Sequence, residues 1–209
     1  MQQQSITSTL SVDGKRLWNS LMQMAEIGAT AKGGCNRQTL TSLDKNSRDL
    51  FVSWCKEQGC EILVDEIGNI FARRSGKDNS LPAVITGSHL DTQPTGGKFD
   101  GVYGVLAGLE VLRTLHENDI QTNHPIEVVV WTNEEGSRFI PSCLGSGVWN
   151  GTFNVQESYK ITDKDGLSVG DELTRIGYKG ILAAKPRPIK AAFEAHIEQG
   201  PILEKEEKQ

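Results

Sequence analysis

The sequence predicts an α/β fold, with a mostly parallel mixed sheet flanked by helices. First, the chain has 209 residues, of which 37% are hydrophobic and 23% charged, a composition that suits one globular core. Second, short apolar runs bounded by Gly, Pro, Asn or Asp recur along it. Third, an apolar segment of helical length, residues 101–115, lies between two such runs. This strand, helix and strand order is typical of a parallel α/β unit.

The elements follow in order. Apolar residues at helical spacing predict a first helix over residues 12–27 and a second one from Ser42 to about Gly59. Four apolar runs are the predicted strands that come next: residues 61–65, 69–73, 83–87 and 127–131. After a polar excursion, a short helical pattern occupies residues 169–176. The last strand-like run covers residues 190–197.

Composition and charge exclude several classes of function. The net charge is −5, and the longest basic cluster is Arg73 and Arg74, so neither a nucleic acid nor an anionic membrane is expected as a partner. The polar residues 1–5 do not begin a secretory signal, and we expect a cytoplasmic protein. Four cysteines without paired spacing are expected to be free thiols: Cys35, Cys55, Cys60 and Cys143.

Residues of the types that bind metals follow three predicted strands. Since loops at the carboxyl ends of parallel strands form the usual binding crevice of such a sheet, we expect them to meet. The segments are GSHLDT at residues 87–92 with GGKFDG at 96–101, TNEEGSR at 132–138, and FEAHIEQGP at 193–201.

The imidazoles and carboxylates in these segments suit a pair of zinc, manganese, cobalt or nickel ions. Asp100 is the candidate for a carboxylate that bridges both ions. His89 and His196 would be terminal ligands on different ions, and Glu135 a carboxylate ligand.

Two further acidic residues are candidates for catalytic roles. Asp91 follows His89 by two residues, so its carboxylate could accept the imidazole proton and orient the ring. Glu134 and Glu135 diverge at a strand end, which leaves Glu134 free for proton transfer. A lone histidine is more often a buried core residue than a ligand, but three such segments together favour a metal site. His116 and His124 are instead expected at the surface or at a helix end.

The same segments, together with LGSG at residues 144–147, resemble the metal-dependent aminoacylase and carboxypeptidase superfamily. More narrowly, they resemble its hydantoinase/carbamoylase branch of N-carbamoyl-L-amino-acid hydrolases, β-ureidopropionases and allantoate amidohydrolases. The resemblance implies two divalent ions, His89 and Glu135 on opposite ions, Asp100 as the bridge and His196 on the ion of His89. It also implies Glu134 as the general base and, less specifically, Gln199 near the substrate's ureido group.

The resemblance also carries expectations about domains. It implies a di-metal exopeptidase-like catalytic domain over residues 1–204, present as its amino-terminal part, followed by a polar tail at 205–209. Members of the branch continue beyond this point into an inserted lid domain, through which they form homodimers. They then return to supply one more metal-binding histidine. That domain is expected to be absent from this chain, which is expected to be truncated.

Three functions remain open from the sequence. The favoured one is hydrolysis of N-carbamoyl-L-amino acids or N-carbamoyl-β-alanine to an amino acid, carbon dioxide and ammonia, with Glu134 as the base. The second is hydrolysis of allantoate, a peptide or an N-acyl amino acid by the same groups. The third is an inactive fragment that binds metal weakly, because its metal ligands are incomplete.

Overall fold

A computed structural model describes residues 10–208 of the chain; the polar residues 1–5, where no secretory signal was predicted, and the end of the tail at Gln209 lie outside them. The described part forms one five-stranded sheet in the order β1-β2-β4-β3-β5. Its strands are β1 (Glu61–Val64), β2 (Ile70–Arg74), β3 (Ala83–His89), β4 (Ile126–Trp131) and β5 (Ile189–Phe193). Its helices are α1 (Gly14–Ala25), α2 (Ser42–Glu57), α3 (Val102–Glu117), α4 (Leu144–Trp149), α5 (Val155–Ser158), α6 (Val169–Ile176) and α7 (Ile202–Lys205).

The predicted mixed sheet flanked by helices is confirmed. β3 is the centre of a parallel half, because it pairs in parallel with β4 on one side and with β5 on the other. β1, β2 and β4 pair antiparallel, so two of the four pairings are parallel. The carboxyl ends of β3, β4 and β5 consequently lie along the same edge of the sheet.

Helix α3 connects the parallel strands β3 and β4 and packs across them. Gly108 lies at the contact: a Cβ there would come within 3.0 Å of methyl groups of Thr86 and Val128. On the outer side of α3, Glu110 accepts hydrogen bonds from Arg16 of α1. Part of the core thus lies between the sheet and α3. This packing fixes the position of the first turn of α3 relative to the end of β3.

The differences from the predicted elements include a shorter last strand and an additional helix. The last strand ends at Phe193, so residues 194–201 form a loop, where a strand had been expected to continue to residue 197. Helix α4 was not predicted, since two glycines give its sequence a low helix propensity. Tertiary contacts override that propensity: the Gly145 amide donates to the Thr132 carbonyl at 2.8 Å, and a Cβ at Gly145 would lie 2.2 Å from Oδ1 of Asn69.

The sheet face opposite α3 carries a buried ion pair. Glu127 of β4 is fully buried, and its carboxylate accepts from Arg73 at 2.5 Å and from Arg187. The Arg187 guanidinium also lies 4.2 Å from the ring centre of Phe71. These contacts hold the segment before β5 against the sheet and so help to set the position of β5.

Candidate metal centre

Three loops that leave the parallel strands bring the predicted ligands together. His89 is the last residue of β3 and pairs with Trp131, the last residue of β4. On the other side of β3, Thr86 pairs with Phe193, the last residue of β5. The predicted convergence of these segments at one edge of the sheet is therefore what the topology produces.

His89 is buried and held in one orientation. Its Nδ1 lies 2.8 Å from the main-chain oxygen of Asp91. Because a carbonyl oxygen only accepts hydrogen bonds, Nδ1 carries the proton, and Nε2 has the lone pair that can bind a metal. Gly101 makes room for the ring: its φ is +65°, and a Cβ there would lie 2.3 Å from Nε2 of His89. The loop before α3 must therefore have glycine at this point.

Nε2 of His89 faces Asp100 and His196. It lies 3.9 Å from Oδ1 of Asp100, and Nε2 of His196 lies 3.3 Å from the same oxygen. One ligand atom from each of the three residues lies within 4.8 Å of the others. This grouping agrees with both histidines on one ion, the arrangement implied by the resemblance, and disfavours the alternative of separate ions.

The two glutamates place their carboxylates beside different partners. Oε2 of Glu134 lies 3.4 Å from Nε2 of His89, while Oε1 accepts a hydrogen bond from the Cys143 thiol at 3.4 Å. Oε2 of Glu135 accepts from Nε2 of Gln93 at 3.0 Å, and its carboxylate adjoins that of Asp100. Asp100 is therefore a neighbour of both histidines and of Glu135.

The carboxylate of Asp91 has a different partner from the one expected. The sequence favoured a contact with the imidazole of His89, but the nearer carboxylate oxygen is 3.8 Å from Nδ1, and the main-chain oxygen makes the short contact. The Asp91 carboxylate instead accepts from the main-chain amides of Glu134 and Glu135, each at 3.3 Å. Asp91 thus connects the β3 loop to the β4 loop.

Burial and neighbouring charges shift three pKa values. Burial opposes protonation of His89, but the carboxylates of Asp91 and Glu134 outweigh it and raise the pKa of this imidazole. Burial raises the pKa of Asp91 to about 6, against the opposing effect of His89. Burial likewise raises the pKa of Glu135, and the nearby Asp100 carboxylate adds to this rise. The site thus contains more hydrogen-bond acceptors than donors, and a divalent cation would reduce the repulsion among its carboxylates.

The residues fit a divalent cation by two observations. Ligands of a tetrahedral ion with bonds of about 2.1 Å lie roughly 3.4 Å apart, which is close to the 3.3 Å between Asp100 and His196. In addition, Oε1 of Glu135 is buried and has no hydrogen-bond partner among the described residues. A buried acceptor without a partner costs free energy unless it has a ligand.

The other residues considered from the sequence make no hydrogen bond with these ligands, and one residue that contacts Glu135 was not predicted. Gln199 is exposed, and its side chain makes no hydrogen bond with residues 10–208, so its role stays a prediction. His116 is exposed at the end of α3, and Nδ1 of His124 contacts the Pro82 carbonyl, as expected for residues outside the site. Gln93 was missed although it lies between two of the recognised segments, and an amide near a ligand loop was the available signal.

No helix among residues 10–208 combines the length and apolar character that crossing a membrane would require.

Comparison with known proteins finds relatives that are similar over most of this chain. The chain is 54% identical over 198 residues to an N-carbamoyl-L-amino-acid amidohydrolase of Rhizobium meliloti, covering 95% of this chain and 48% of the relative. It is 34% identical to a ureidoglycolate hydrolase of Arabidopsis thaliana, covering 97% of this chain and 44% of that protein.

Among solved structures, the crystal structure of a hydantoinase/carbamoylase family amidase from Burkholderia multivorans matches with a TM-score of 0.94 and 58% identity. The match covers 96% of this chain and 49% of that one. The chain thus spans about half the length of the relatives it matches, and the resemblance indicated by its motifs is confirmed. The sequence model of Peptidase family M20/M25/M40 also matches residues 85–209, which is more than half of the chain. The chain therefore belongs to this family.

Proposed function

We propose that this chain takes part in the hydrolysis of the carbamoyl C–N bond of N-carbamoyl-L-amino acids. One observation carries the proposal: His89, Asp100 and His196 each offer a ligand atom within 4.8 Å of the others, and the Glu134 carboxylate lies 3.4 Å from His89. A cation-binding group with an adjacent proton acceptor is one arrangement that can hydrolyse an unactivated amide.

Divalent cations bound here would polarise the carbonyl group and lower the pKa of water. The donors that would hold them are His89, Asp100 and His196 on one side, and Asp100 with Glu135 on the other. We infer two ions of zinc, manganese, cobalt or nickel, because imidazole and carboxylate donors together suit these metals.

Glu134 would move the proton. Its Oε2 faces the site, so it can take a proton from the water that attacks the carbamoyl carbon. The same carboxyl group then protonates the amino-acid nitrogen as the C–N bond breaks. The other product, a carbamic acid, decomposes to carbon dioxide and ammonia. Cys143 donates to Oε1, which keeps Oε2 as the oxygen that faces the reaction.

The relatives favour the carbamoyl substrate over the alternatives. Identity is higher to the Rhizobium meliloti amidohydrolase than to the Arabidopsis thaliana ureidoglycolate hydrolase, at 54% against 34%. Allantoate, peptide and N-acyl amino acid substrates are the competing possibilities. A homodimer and a cytoplasmic location stay predictions of the sequence.

The test is a turnover assay with divalent metal present. N-carbamoyl-L-amino acids, N-carbamoyl-β-alanine, allantoate and N-acetyl amino acids are compared, first with the 209-residue chain and then with the chain extended to the length of its relatives. Release of amino acid and ammonia from the carbamoyl substrates is the expected result. Cleavage of allantoate or N-acetyl substrates alone would contradict the proposed specificity, and activity only in the extended form would identify the short chain as inactive alone.

A further inference from the structure

Gln93 binds one oxygen of Glu135 and leaves the other without a partner. Its Nε2 donates to Oε2 of Glu135 at 3.0 Å, whereas Oε1 is buried and accepts no hydrogen bond from the described residues. A carboxylate held by one oxygen has its second oxygen presented in a fixed direction. In this case the carboxylate adjoins Asp100, the candidate bridge.

The backbone beside Gln93 is itself fixed from a distant part of the chain. The Thr92 amide donates to the Arg37 carbonyl at 3.0 Å, and the Arg37 amide donates to Oγ1 of Thr92 at 2.8 Å. The buried Arg37 guanidinium in turn donates to the carbonyls of Leu90 at 2.9 Å and Ile27 at 2.6 Å. Gln93 therefore projects from a rigid support, although its own side chain is exposed.

We propose that Gln93 is a positioning residue that presents Oε1 of Glu135, together with Asp100, to a divalent cation at a second subsite beside the His89–His196 group. The inference rests on the proposed function, since it requires that the site holds cations. An amide is suited to this task because it donates a hydrogen bond without adding positive charge. A lysine or arginine in its place would neutralise Glu135 and compete with the cation.

The inference is testable because Gln93 should be dispensable for folding. Its hydrogen bond is exposed, and such a bond contributes about 1 kcal/mol or less to stability. Gln93→Leu removes the donor while keeping a side chain of similar size. Gln38→Leu is the matched control. It makes the same change beside Arg37, and the side-chain amide of Gln38 makes no hydrogen bond to residues 10–208.

The experiment is a titration of the 209-residue chain with Mn²⁺, read by equilibrium dialysis and by electron paramagnetic resonance. Two manganese ions bridged by one carboxylate lie about 3.5–4 Å apart and are magnetically coupled, whereas a single ion gives an uncoupled signal. For the parent and for Gln38→Leu we expect two binding phases and a coupled signal. For Gln93→Leu we expect the weaker phase to lose affinity by about 10- to 100-fold, with the tighter phase unchanged and the coupled signal lost at matched Mn²⁺.

Other outcomes overturn the inference in distinguishable ways. If Gln93→Leu keeps both phases and the coupled signal, Gln93 does not position Glu135, and the proposed function stands. If both phases weaken equally or the melting temperature falls well below that of Gln38→Leu, Gln93 serves the fold rather than the second subsite. If the parent binds a single ion, there is no second subsite to serve. If it binds none, the proposed function fails as well.

Discussion

Nε2 of His196 lies 3.3 Å from Oδ1 of Asp100, although one residue follows β5 and the other precedes α3. The contact exists because β5 pairs in parallel with β3, which brings both carboxyl-terminal loops to one edge of the sheet. The candidate ion site is thus a product of strand order. Substitutions in these loops should therefore affect metal affinity more than they affect the stability of the fold.

Gly101→Ala should displace His89. The new Cβ would lie 2.3 Å from Nε2 of the ring, and φ at this position is +65°, which disfavours any side chain. We expect metal affinity to fall by at least about tenfold and stability by about 1–3 kcal/mol. Isothermal titration calorimetry with Zn²⁺ and urea unfolding would measure the two effects.

Gly97→Ala is the control for that substitution. It lies in the same loop, and a Cβ at Gly97 would meet no heavy atom within 4 Å. We expect metal binding and stability close to those of the parent chain. Equal losses in the two variants would show that the loop, rather than the space beside His89, determines binding.

Glu134→Gln should separate metal binding from catalysis. The amide cannot accept the proton from water, so the turnover number should fall by about 10² to 10⁴ in any form of the protein that hydrolyses N-carbamoyl-L-amino acids. Metal content should stay unchanged, because Glu134 is not among the proposed ligands. Metal analysis and ammonia release measure both quantities. Near-parental turnover would exclude Glu134 as the base.

Glu127→Ala should destabilise the sheet. The substitution leaves Arg73 and Arg187 without their buried counter-charge, and breaking such a pair costs about 3 kcal/mol. Urea unfolding would measure this loss, with Glu61→Ala as the control because Glu61 is exposed on β1. A loss below about 1 kcal/mol would mean that solvent screens the two guanidinium groups.

One thiol should react in the folded chain. Cys143 is exposed, while Cys35, Cys55 and Cys60 are buried, and burial raises the pKa of Cys60 to about 11. At pH 8 only about 0.1% of such a thiol is ionised, and the thiolate is the reactive form. A disulfide reagent should therefore label one thiol in the native chain and four in urea.

The pH dependence of this labelling has a definite sign. Burial raises the pKa of Cys143, and the hydrogen bond from its thiol to Glu134 adds to this rise, so its labelling rate should increase as the pH rises from 7 to 9. Cys143→Ser should abolish labelling of the native chain. Rapid labelling of two or more thiols before unfolding would contradict the described burial.

The sequence was informative where chemistry and local pattern coincide. His89, Asp100 and His196 could be singled out because imidazole and carboxylate groups follow predicted strands. Residues that act through distant backbone pairing could not. Gln93 reaches Glu135 from a backbone segment that pairs with Arg37 through Thr92, and no periodicity encodes that pairing.

Helix α4 and the end of β5 were difficult for the same reason. Gly145 lies in α4 because its backbone fits against Asn69, where a larger residue would collide. Local propensity opposes a helix there, and the tertiary contact decides the outcome. The apolar and small residues after Phe193 resemble a continuing strand, but pairing with β3 ends at that residue.

The most direct test of the candidate metal centre is a Zn²⁺ titration of the parent chain beside Asp100→Ala, His196→Ala and the control His124→Ala. We expect the parent and His124→Ala to bind with equal affinity, His196→Ala to lose the tighter ion, and Asp100→Ala to weaken both ions because Asp100 neighbours both the histidines and Glu135. Unchanged binding in Asp100→Ala and His196→Ala would contradict the site described here.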